Sequence, residues 1–143
     1  MLDNRVRKMK IRNFRAVVMK DELEKFNPLP NECFIINLEN SDQGGSHWTC
    51  IWKKGRDVRY FDSFGTPVPQ EVLTYYKKYK IQNFQSNSSA DTEGKRISEY
   101  PQRPIQKYQS DWCGELSILF LLLCQKGNTF QEVMGLMSEA TSF

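Results

Sequence analysis

The 143-residue sequence predicts a single globular domain that combines β-strands with α-helices. Its composition, 39% hydrophobic and 26% charged residues, is that of a folded protein rather than a disordered one. Cys33–Leu38 is a continuous apolar run, typical of a strand buried on both faces, and His47–Asp62 alternates as a β-hairpin does. Cys113–Lys126 is apolar on nearly every side, which indicates a helix in the middle of a core.

The N-terminal segment, residues 1–11, is basic. The first 20 residues carry seven of the 20 Lys and Arg but one of the 17 Asp and Glu, which leaves 13 basic and 16 acidic residues for the rest of the chain. Such a segment is suited to docking on DNA or another polyanion, although a solvated terminus has the same composition. The candidate contact residues are Arg5, Arg7, Lys8, Lys10 and Arg12.

The predicted hairpin has two distinct faces. Trp48, Cys50 and Trp52 lie on one face of its first strand, and His47, Thr49 and Ile51 lie on the other. The turn is Lys54–Asp57, in which Gly55 can adopt a positive φ, and the return strand is Val58–Asp62.

His47 and Asp62 come together if this turn contains an even number of residues. Lys54 then opposes Asp57, Thr49 opposes Asp62, and His47 lies one diagonal step from Asp62 on the same face. A turn of odd length would put Asp62 on the opposite face. An aspartate that accepts a hydrogen bond from one imidazole nitrogen fixes the tautomer and leaves the other nitrogen as a base. If Asp62 does not contact it, His47 is better interpreted as a structural residue.

The remaining elements follow from local patterns. Phe14–Met19 is a short strand or the start of a helix, which periodicity does not decide. The other predicted segments are a loop over 63–69, an amphipathic helix over Gln70–Lys80, an exposed loop over 86–104, a short strand over Ile105–Tyr108 and a last helix over Phe130–Ala140.

Cys113 lies in the first turn of the predicted buried helix, with Ser110 or Asp111 as the N-cap. Free N–H groups and the positive end of the helix dipole lower the pKa of a thiol there and favour the nucleophilic thiolate. Gly114 allows a substrate to approach the backbone closely. The alternative is a buried structural cysteine.

Two glutamines precede this cysteine, Gln106 by seven residues and Gln109 by four. A side-chain amide beside a nucleophile can donate to the oxyanion of a tetrahedral intermediate, together with a backbone N–H at the helix start. Most glutamines are surface residues, so this assignment depends on the rest of the site.

The four cysteines, at positions 33, 50, 113 and 124, form no CxxC pair, and His47 is the single histidine. We therefore expect no metal centre and four reduced thiols. The N-terminus has no apolar signal region, and the longest apolar run has seven residues where a membrane span needs about 20. These features favour a reducing intracellular compartment and no membrane attachment.

Four motifs occur in a specific order: GGSHW at 44–48, YFDSFG at 60–65, IQ at 105–106 and DWCGE at 111–115. In this order and spacing the sequence resembles the adenovirus-type cysteine peptidases, including those of polinton-like DNA elements. The related ubiquitin-like-protein proteases share the order His, Asp, Gln, Cys. They usually have Gln six residues before the cysteine and Asp directly before it, whereas here the spacing is seven and Trp112 precedes Cys113.

The resemblance implies an α+β, papain-like/adenain-like cysteine peptidase fold, with a central mixed β-sheet packed against a buried nucleophile helix, formed by residues 1–143 as one domain. It implies that Cys113 is the nucleophile, His47 the general base and acid, and Asp62 the residue that orients His47. Gln106 and the backbone N–H of Cys113 would form the oxyanion hole, unless Gln109 takes the place of Gln106.

The same resemblance implies a substrate and partners. Trp48, with Gly45 and Gly114, would line a narrow cleft that admits glycine, although Trp48 is equally suited to a core. The implied function is a monomeric viral maturation protease that cleaves structural-protein precursors at Gly-containing sites in the virion or host nucleus. No cofactor is required, but DNA or a peptide can act as an activator. The alternatives are an isopeptidase for ubiquitin-like modifiers and a non-enzymatic DNA- or capsid-binding module.

Overall fold

The computed structural model describes residues 9–39, 47–98, 104–105 and 112–141. Its strands are β1 (Phe14–Met19), β2 (Asn31–Asn37), β3 (Trp48–Lys54), β4 (Asp57–Phe61) and β5 (Asn83–Ser86). Its α-helices are α1 (Gln70–Tyr76), α2 (Cys113–Gln125) and α3 (Phe130–Thr141), and a 3-10 helix, Lys20–Lys25, follows β1. Phe14–Met19 is therefore a strand.

The five strands form one mixed sheet in the order β1-β2-β3-β4-β5. The central strands β2, β3 and β4 are antiparallel, while β1 is parallel to β2 and β5 is parallel to β4. The predicted central mixed sheet is confirmed.

Helices cover both faces of this sheet because its central strands are apolar on both sides. Ile35 of β2 packs in one core with Phe120 of α2 and Met134 of α3. The neighbouring residue Ile36 points the other way and packs in a second core with Val72 of α1. Helix α2 is buried along most of its length, so the predicted core helix is also confirmed.

The β3–β4 hairpin has the register that an even-length turn requires. Lys54 pairs with Asp57 and Cys50 with Phe61. Gly55 occupies the turn with φ 60°, a conformation that a residue with a Cβ rarely adopts. This register brings the start of β3 next to the end of β4, where the candidate catalytic residues lie.

The predicted exposed loop over 86–104 is wrong in its first part. Asn83–Ser86 is the edge strand β5, and Ser86, Asn87 and Ser88 are fully buried. Their polar groups are satisfied internally; the side chain of Asn87, for example, donates to the backbone oxygen of Asp62 at 2.5 Å. A segment with a single apolar residue, Phe84, has no hydrophobic alternation from which a strand could be predicted.

Two other predicted boundaries differ. Helix α1 ends at Tyr76 rather than Lys80, because the chain turns there to enter β5, and the N–H of Gln82 bonds to the backbone oxygen of Arg56 at 2.8 Å. Of the predicted strand at 105–108 the structure describes only Ile105, which belongs to no strand. Within the described ranges no helix is long and apolar enough to cross a membrane.

Candidate active site

Three side chains meet at one end of the sheet. His47 directly precedes β3, Asp62 directly follows β4, and Cys113 is the first residue of α2. The antiparallel hairpin places the first two side by side, and α2 packs against β3 with its N-terminus at the same end. The Oγ of Ser117 in α2 bonds to the backbone oxygen of Cys113 at 2.8 Å and reaches the backbone oxygen of Trp48 at 3.4 Å.

The imidazole of His47 is bound to a buried carboxylate. Its Nε2 lies 2.6 Å from Oδ1 of Asp62, whose side chain is fully buried, while that of His47 is 14% exposed. Since the carboxylate only accepts, Nε2 donates and Nδ1 is left for another partner. Nδ1 is buried, and its contact with the Cys113 thiol is looser than an ordinary hydrogen bond.

A tight turn holds the Asp62 carboxylate in place. Oδ1 accepts the backbone N–H of Phe64 at 2.9 Å, and Oδ2 accepts the backbone N–H of Thr66 at 3.2 Å and its hydroxyl. The N–H of Gly65, at φ 68°, closes the turn onto the backbone oxygen of Asp62 at 2.8 Å. These hydrogen bonds compensate for the cost of burying the carboxylate beside His47.

The Cys113 thiol lies against the residue that follows His47. The backbone N–H of Trp48 donates to Sγ at 3.4 Å. Burial raises the pKa of this thiol, but hydrogen bonds from His47, Trp48 and Gly114 and the positive charge of His47 outweigh burial, so the pKa is lowered. The N-cap of α2 is Trp112, which makes no side-chain capping bond; the predicted caps, Ser110 and Asp111, lie outside the described residues.

His47 shows the complementary shift. Burial lowers its pKa, but the hydrogen bonds to Asp62 and Cys113 and the negative charges of both raise it to about 9. A lowered thiol pKa and a raised imidazole pKa together favour the thiolate–imidazolium form of the pair over the neutral form.

We expect Cys113 to react with iodoacetamide at a lower pH than an ordinary thiol does. Its thiolate fraction rises as the pH increases through the lowered pKa. Replacing His47 by alanine removes the charge and the hydrogen bond that lower this pKa but leaves much of the burial, which raises it. The midpoint of the pH profile should therefore move to higher pH, although the backbone N–H groups of Trp48 and Gly114 still lower the pKa of the thiol.

Mass spectrometry of the intact protein measures this reaction and shows whether one adduct forms. The other cysteines provide an internal control, because burial raises the pKa of Cys33 to about 12 and that of Cys124 to about 11. Equal midpoints for the wild type and His47→Ala would contradict an interacting pair.

The other predicted substrate and oxyanion residues are only partly described. Gly45, Gln106 and Gln109 lie outside the described residues. The Trp48 side chain is half-buried and packs against the core beside α2, while its backbone faces the thiol. Gly114 is buried directly behind Cys113.

The basic residues predicted to contact DNA lie away from the thiol where they can be located. Arg5, Arg7 and Lys8 are outside the described residues, whereas Lys10 and Arg12 are exposed. The backbone N–H of Arg12 bonds to Gln125 at the C-terminal end of α2, at 2.6 Å. Helix α2 starts at Cys113, so the thiol and the Arg12–Gln125 contact lie at opposite ends of this helix. At 1.5 Å per residue its length is roughly 18 Å.

A cleft of about 990 Å³ lies beside Arg12, also lined by Lys54, Arg59 and the end of α2. It contains none of the three residues His47, Asp62 and Cys113. Among the described residues, no group of three or more His, Cys, Asp or Glu is placed to hold a metal ion. The four cysteines are all buried free thiols.

Sequence reasoning assigned no role to Phe64. Its ring stacks on the imidazole of His47, with centroids 4.4 Å apart and planes inclined by 16°. The DSFG sequence could have indicated an aspartate-centred turn, but not where the phenylalanine ring packs. Asn87 was also missed; its Oδ1 accepts the backbone N–H of Asp62 at 3.1 Å.

The mixed sheet with α2 packed against it, and Cys113 at the start of that helix, has the fold of papain-like cysteine peptidases, in the form of the adenain-like enzymes that are related to ubiquitin-like-protein proteases. No family model and no curated protein matches the sequence. The similar solved structures include the ASFV pS273R protease, with a TM-score of 0.64 and 13% identity over 92% of this chain and 58% of that chain.

Two further structures have the same fold. A selenomethionine form of the ASFV pS273R protease matches with a TM-score of 0.59 and 14% identity, over 87% of this chain and 56% of that chain. An AvrA deletion variant with IP6 and CoA matches with a TM-score of 0.50 and 15% identity, over 94% of this chain and 53% of that chain. The chain thus spans little more than half the length of these proteins. The α+β, papain-like/adenain-like fold is confirmed.

Proposed function

We propose that this chain is a cysteine endopeptidase that uses Cys113 as its nucleophile. The observation that carries the proposal is a thiol of lowered pKa beside an imidazole of raised pKa, which is itself bound to the buried Asp62 at 2.6 Å. A nucleophile and its base typically lie in contact and have pKa values shifted in opposite directions. Here the two groups meet at the end of the sheet. The fold shared with the ASFV pS273R protease supports the same conclusion.

The proposed reaction begins when Sγ of Cys113 attacks the carbonyl carbon of the scissile peptide. The imidazolium of His47 then gives a proton to the leaving amine from Nδ1, and the C–N bond breaks to leave a thioester. His47 next takes a proton from water, which attacks the thioester and releases the acid. Throughout, Asp62 accepts from Nε2 and keeps the ring in one orientation.

The proposal assigns the oxyanion hole to the side chain of Gln106 and the backbone N–H of Cys113. The residue before Gln106 supports this choice. Ile105 is buried, and its N–H donates at 2.8 Å to the backbone oxygen of Ser63, which directly follows Asp62. The residue directly before Gln106 is therefore anchored beside the catalytic turn, whereas Gln109 is three residues further along the sequence.

We expect Gln106→Ala to lower kcat by roughly 100- to 1,000-fold, the usual effect of losing one oxyanion donor. KM should change little, because the bond forms mainly in the transition state. Gln109→Ala is the matched control and should retain wild-type kcat in the same peptide assay. The opposite result, with only Gln109→Ala impaired, would move the role to Gln109.

We further propose that the substrates are protein precursors cut at Gly-containing sites, as in viral maturation. The resemblance of GGSHW and DWCGE to the adenovirus-type peptidases supports this, and so does the viral protease among the solved structures of the same fold. Gly45, Trp48 and Gly114 would then line the cleft. The proposal includes action as a monomer in the virion or host nucleus.

Two electrophilic probes separate this proposal from the isopeptidase alternative. A short peptide that ends in a glycine-derived vinyl sulfone should label Cys113, and prior alkylation should block it. Preferential labelling by a ubiquitin-like protein with the same electrophile would instead favour the isopeptidase. Labelling by neither, in a protein that binds DNA, would favour the non-enzymatic module.

DNA activation remains part of the proposal, through Arg5, Arg7, Lys8, Lys10 and Arg12. The exposed positions of Lys10 and Arg12, beside a cleft that Lys54 and Arg59 also line, support a polyanion at that end of α2. Stimulation of peptide cleavage by duplex DNA, lost as salt is raised, would support it. A peptide activator is the alternative.

A further inference from the structure

We propose that Phe64 is a positioning residue for His47, and that its aromatic face holds the imidazole protonated and directed at the Cys113 thiol. This inference rests on the proposed function, because it assigns Phe64 a part in maintaining the catalytic pair.

The stacking supplies a constraint that the Asp62 hydrogen bond does not. The bond from Nε2 to Oδ1, at 2.6 Å, acts within the plane of the imidazole and fixes one edge of the ring. The Phe64 ring, 4.4 Å away and inclined by 16°, covers one face. An edge and a face together define the plane of the imidazole and hence the direction of Nδ1.

The same turn holds the ring and the carboxylate. The backbone N–H of Phe64 donates to the Oδ1 atom that His47 also contacts, at 2.9 Å. Gly65, with φ 68°, closes the turn with its N–H on the backbone oxygen of Asp62. Phe64 and Asp62 therefore cannot move independently, and both contacts to His47 depend on one short segment.

An aromatic face also favours the charged form of the ring that it covers, because its π-electrons attract a cation. Among the described residues the titratable groups that act on His47 are Asp62, after β4, and Cys113, at the start of α2. Both are retained when Phe64 is replaced. The stacking contribution can therefore be measured separately from theirs.

The test uses NMR titration of His47, which is the single histidine of the chain and so gives an unambiguous imidazole signal. In the wild type this signal should titrate near the value of about 9 that its surroundings produce. Phe64→Leu keeps an apolar side chain but removes the π face, and we expect it to titrate lower by roughly half to one pH unit. Phe64→Tyr keeps the face and should titrate as the wild type does.

Phe84→Leu is the matched control, because Phe84 is also half-buried but lies on β5, where it lines the cleft beside Arg12 that contains none of the three catalytic residues. It should leave the His47 titration unchanged. In a peptide assay, Phe64→Leu should lower kcat by about tenfold with KM nearly unchanged. Phe64→Tyr should keep the wild-type kcat.

The outcomes separate this inference from the proposed function. If His47 of the wild type titrates near the ordinary value of about 6.5, the catalytic pair itself is absent. If the wild type titrates high and Phe64→Leu does the same, the pair stands and the role of Phe64 is overturned. A His47 pKa that is lower in Phe64→Leu but unchanged in Phe64→Tyr supports the inference.

Discussion

Replacement of Cys113 by alanine should abolish peptide cleavage while the protein stays folded. Covalent catalysis needs a thiolate, and no other cysteine of the chain can supply one near His47. Cys33 and Cys124 are buried with pKa values raised to about 12 and 11, and burial also raises the pKa of Cys50 well above its ordinary value. We expect kcat to fall by about 10,000-fold, as in peptidases that lose a member of the catalytic triad.

Cys124→Ala is the control for this variant. Cys124 lies in the last turns of the same helix, is 1% exposed, and contacts Arg59 rather than the catalytic residues. Its truncation should lower the free energy of unfolding slightly and leave kcat near the wild-type value. Cleavage by Cys113→Ala at a wild-type rate would exclude Cys113 as the nucleophile, whatever the stability of the two variants.

Cys113→Ser tests whether thiolate formation is the important property. The hydroxyl can still hydrogen-bond to the neighbouring groups, but it does not ionise near neutral pH. We expect this variant to bind substrate and to remain inactive. The comparison is made by fluorescence anisotropy for binding and by a fluorogenic peptide for cleavage.

Some parts of the site could be predicted from sequence because they depend on short-range patterns. Period-two alternation over β3 and a turn that contains Gly55 determine the register that pairs His47 with Asp62. Continuous apolarity over α2 places Cys113 at the end of a buried helix. These patterns act over a few residues, so they can be read without knowledge of the fold.

Other parts could not be predicted because they arise from contacts between distant segments. Strand β5 is short and mostly polar, and the side chain of Asn87 is buried in hydrogen bonds to the backbone of Asp62, which is 25 residues away in the sequence. The stacking of Phe64 on His47 likewise depends on how the turn after β4 folds back. No local propensity encodes either arrangement, since the tertiary partner decides where the polar or aromatic group lies.

The second large effect should follow from Asp62→Asn. The amide has nearly the same shape but no negative charge. Both oxygens of Asp62 accept hydrogen bonds, and the NH₂ group that replaces one of them can only donate. Without that charge, burial, which lowers the pKa of His47, is opposed by Cys113 and by the stacked Phe64 ring but no longer by a carboxylate. The imidazole should therefore lose its proton at a lower pH, and the wrong tautomer becomes accessible. We expect kcat at neutral pH to fall by at least about 100-fold, towards the 10,000-fold loss known for such a change in a triad.

The pH dependence distinguishes a loss of charge from a loss of structure. In the wild type, activity should fall on the alkaline side as His47 deprotonates near a pKa of about 9. In Asp62→Asn this alkaline limb should move to lower pH, because the folded protein now holds the proton less tightly. A variant that had merely lost structure would show a lower amplitude at every pH, with the limb unmoved.

Two controls address the several contacts of Asp62. Thr66→Val removes the hydroxyl bond to Oδ2 but keeps the charge, so it should lower stability without moving the alkaline limb. Asp57→Asn alters an exposed carboxylate at the other end of β4, where it accepts from Asn83 at 2.8 Å, and should leave kcat unchanged. An Asp62→Asn variant with the wild-type pH profile would mean that His47 is oriented by something other than this carboxylate, and the Phe64 ring would then be the remaining described group positioned to do so.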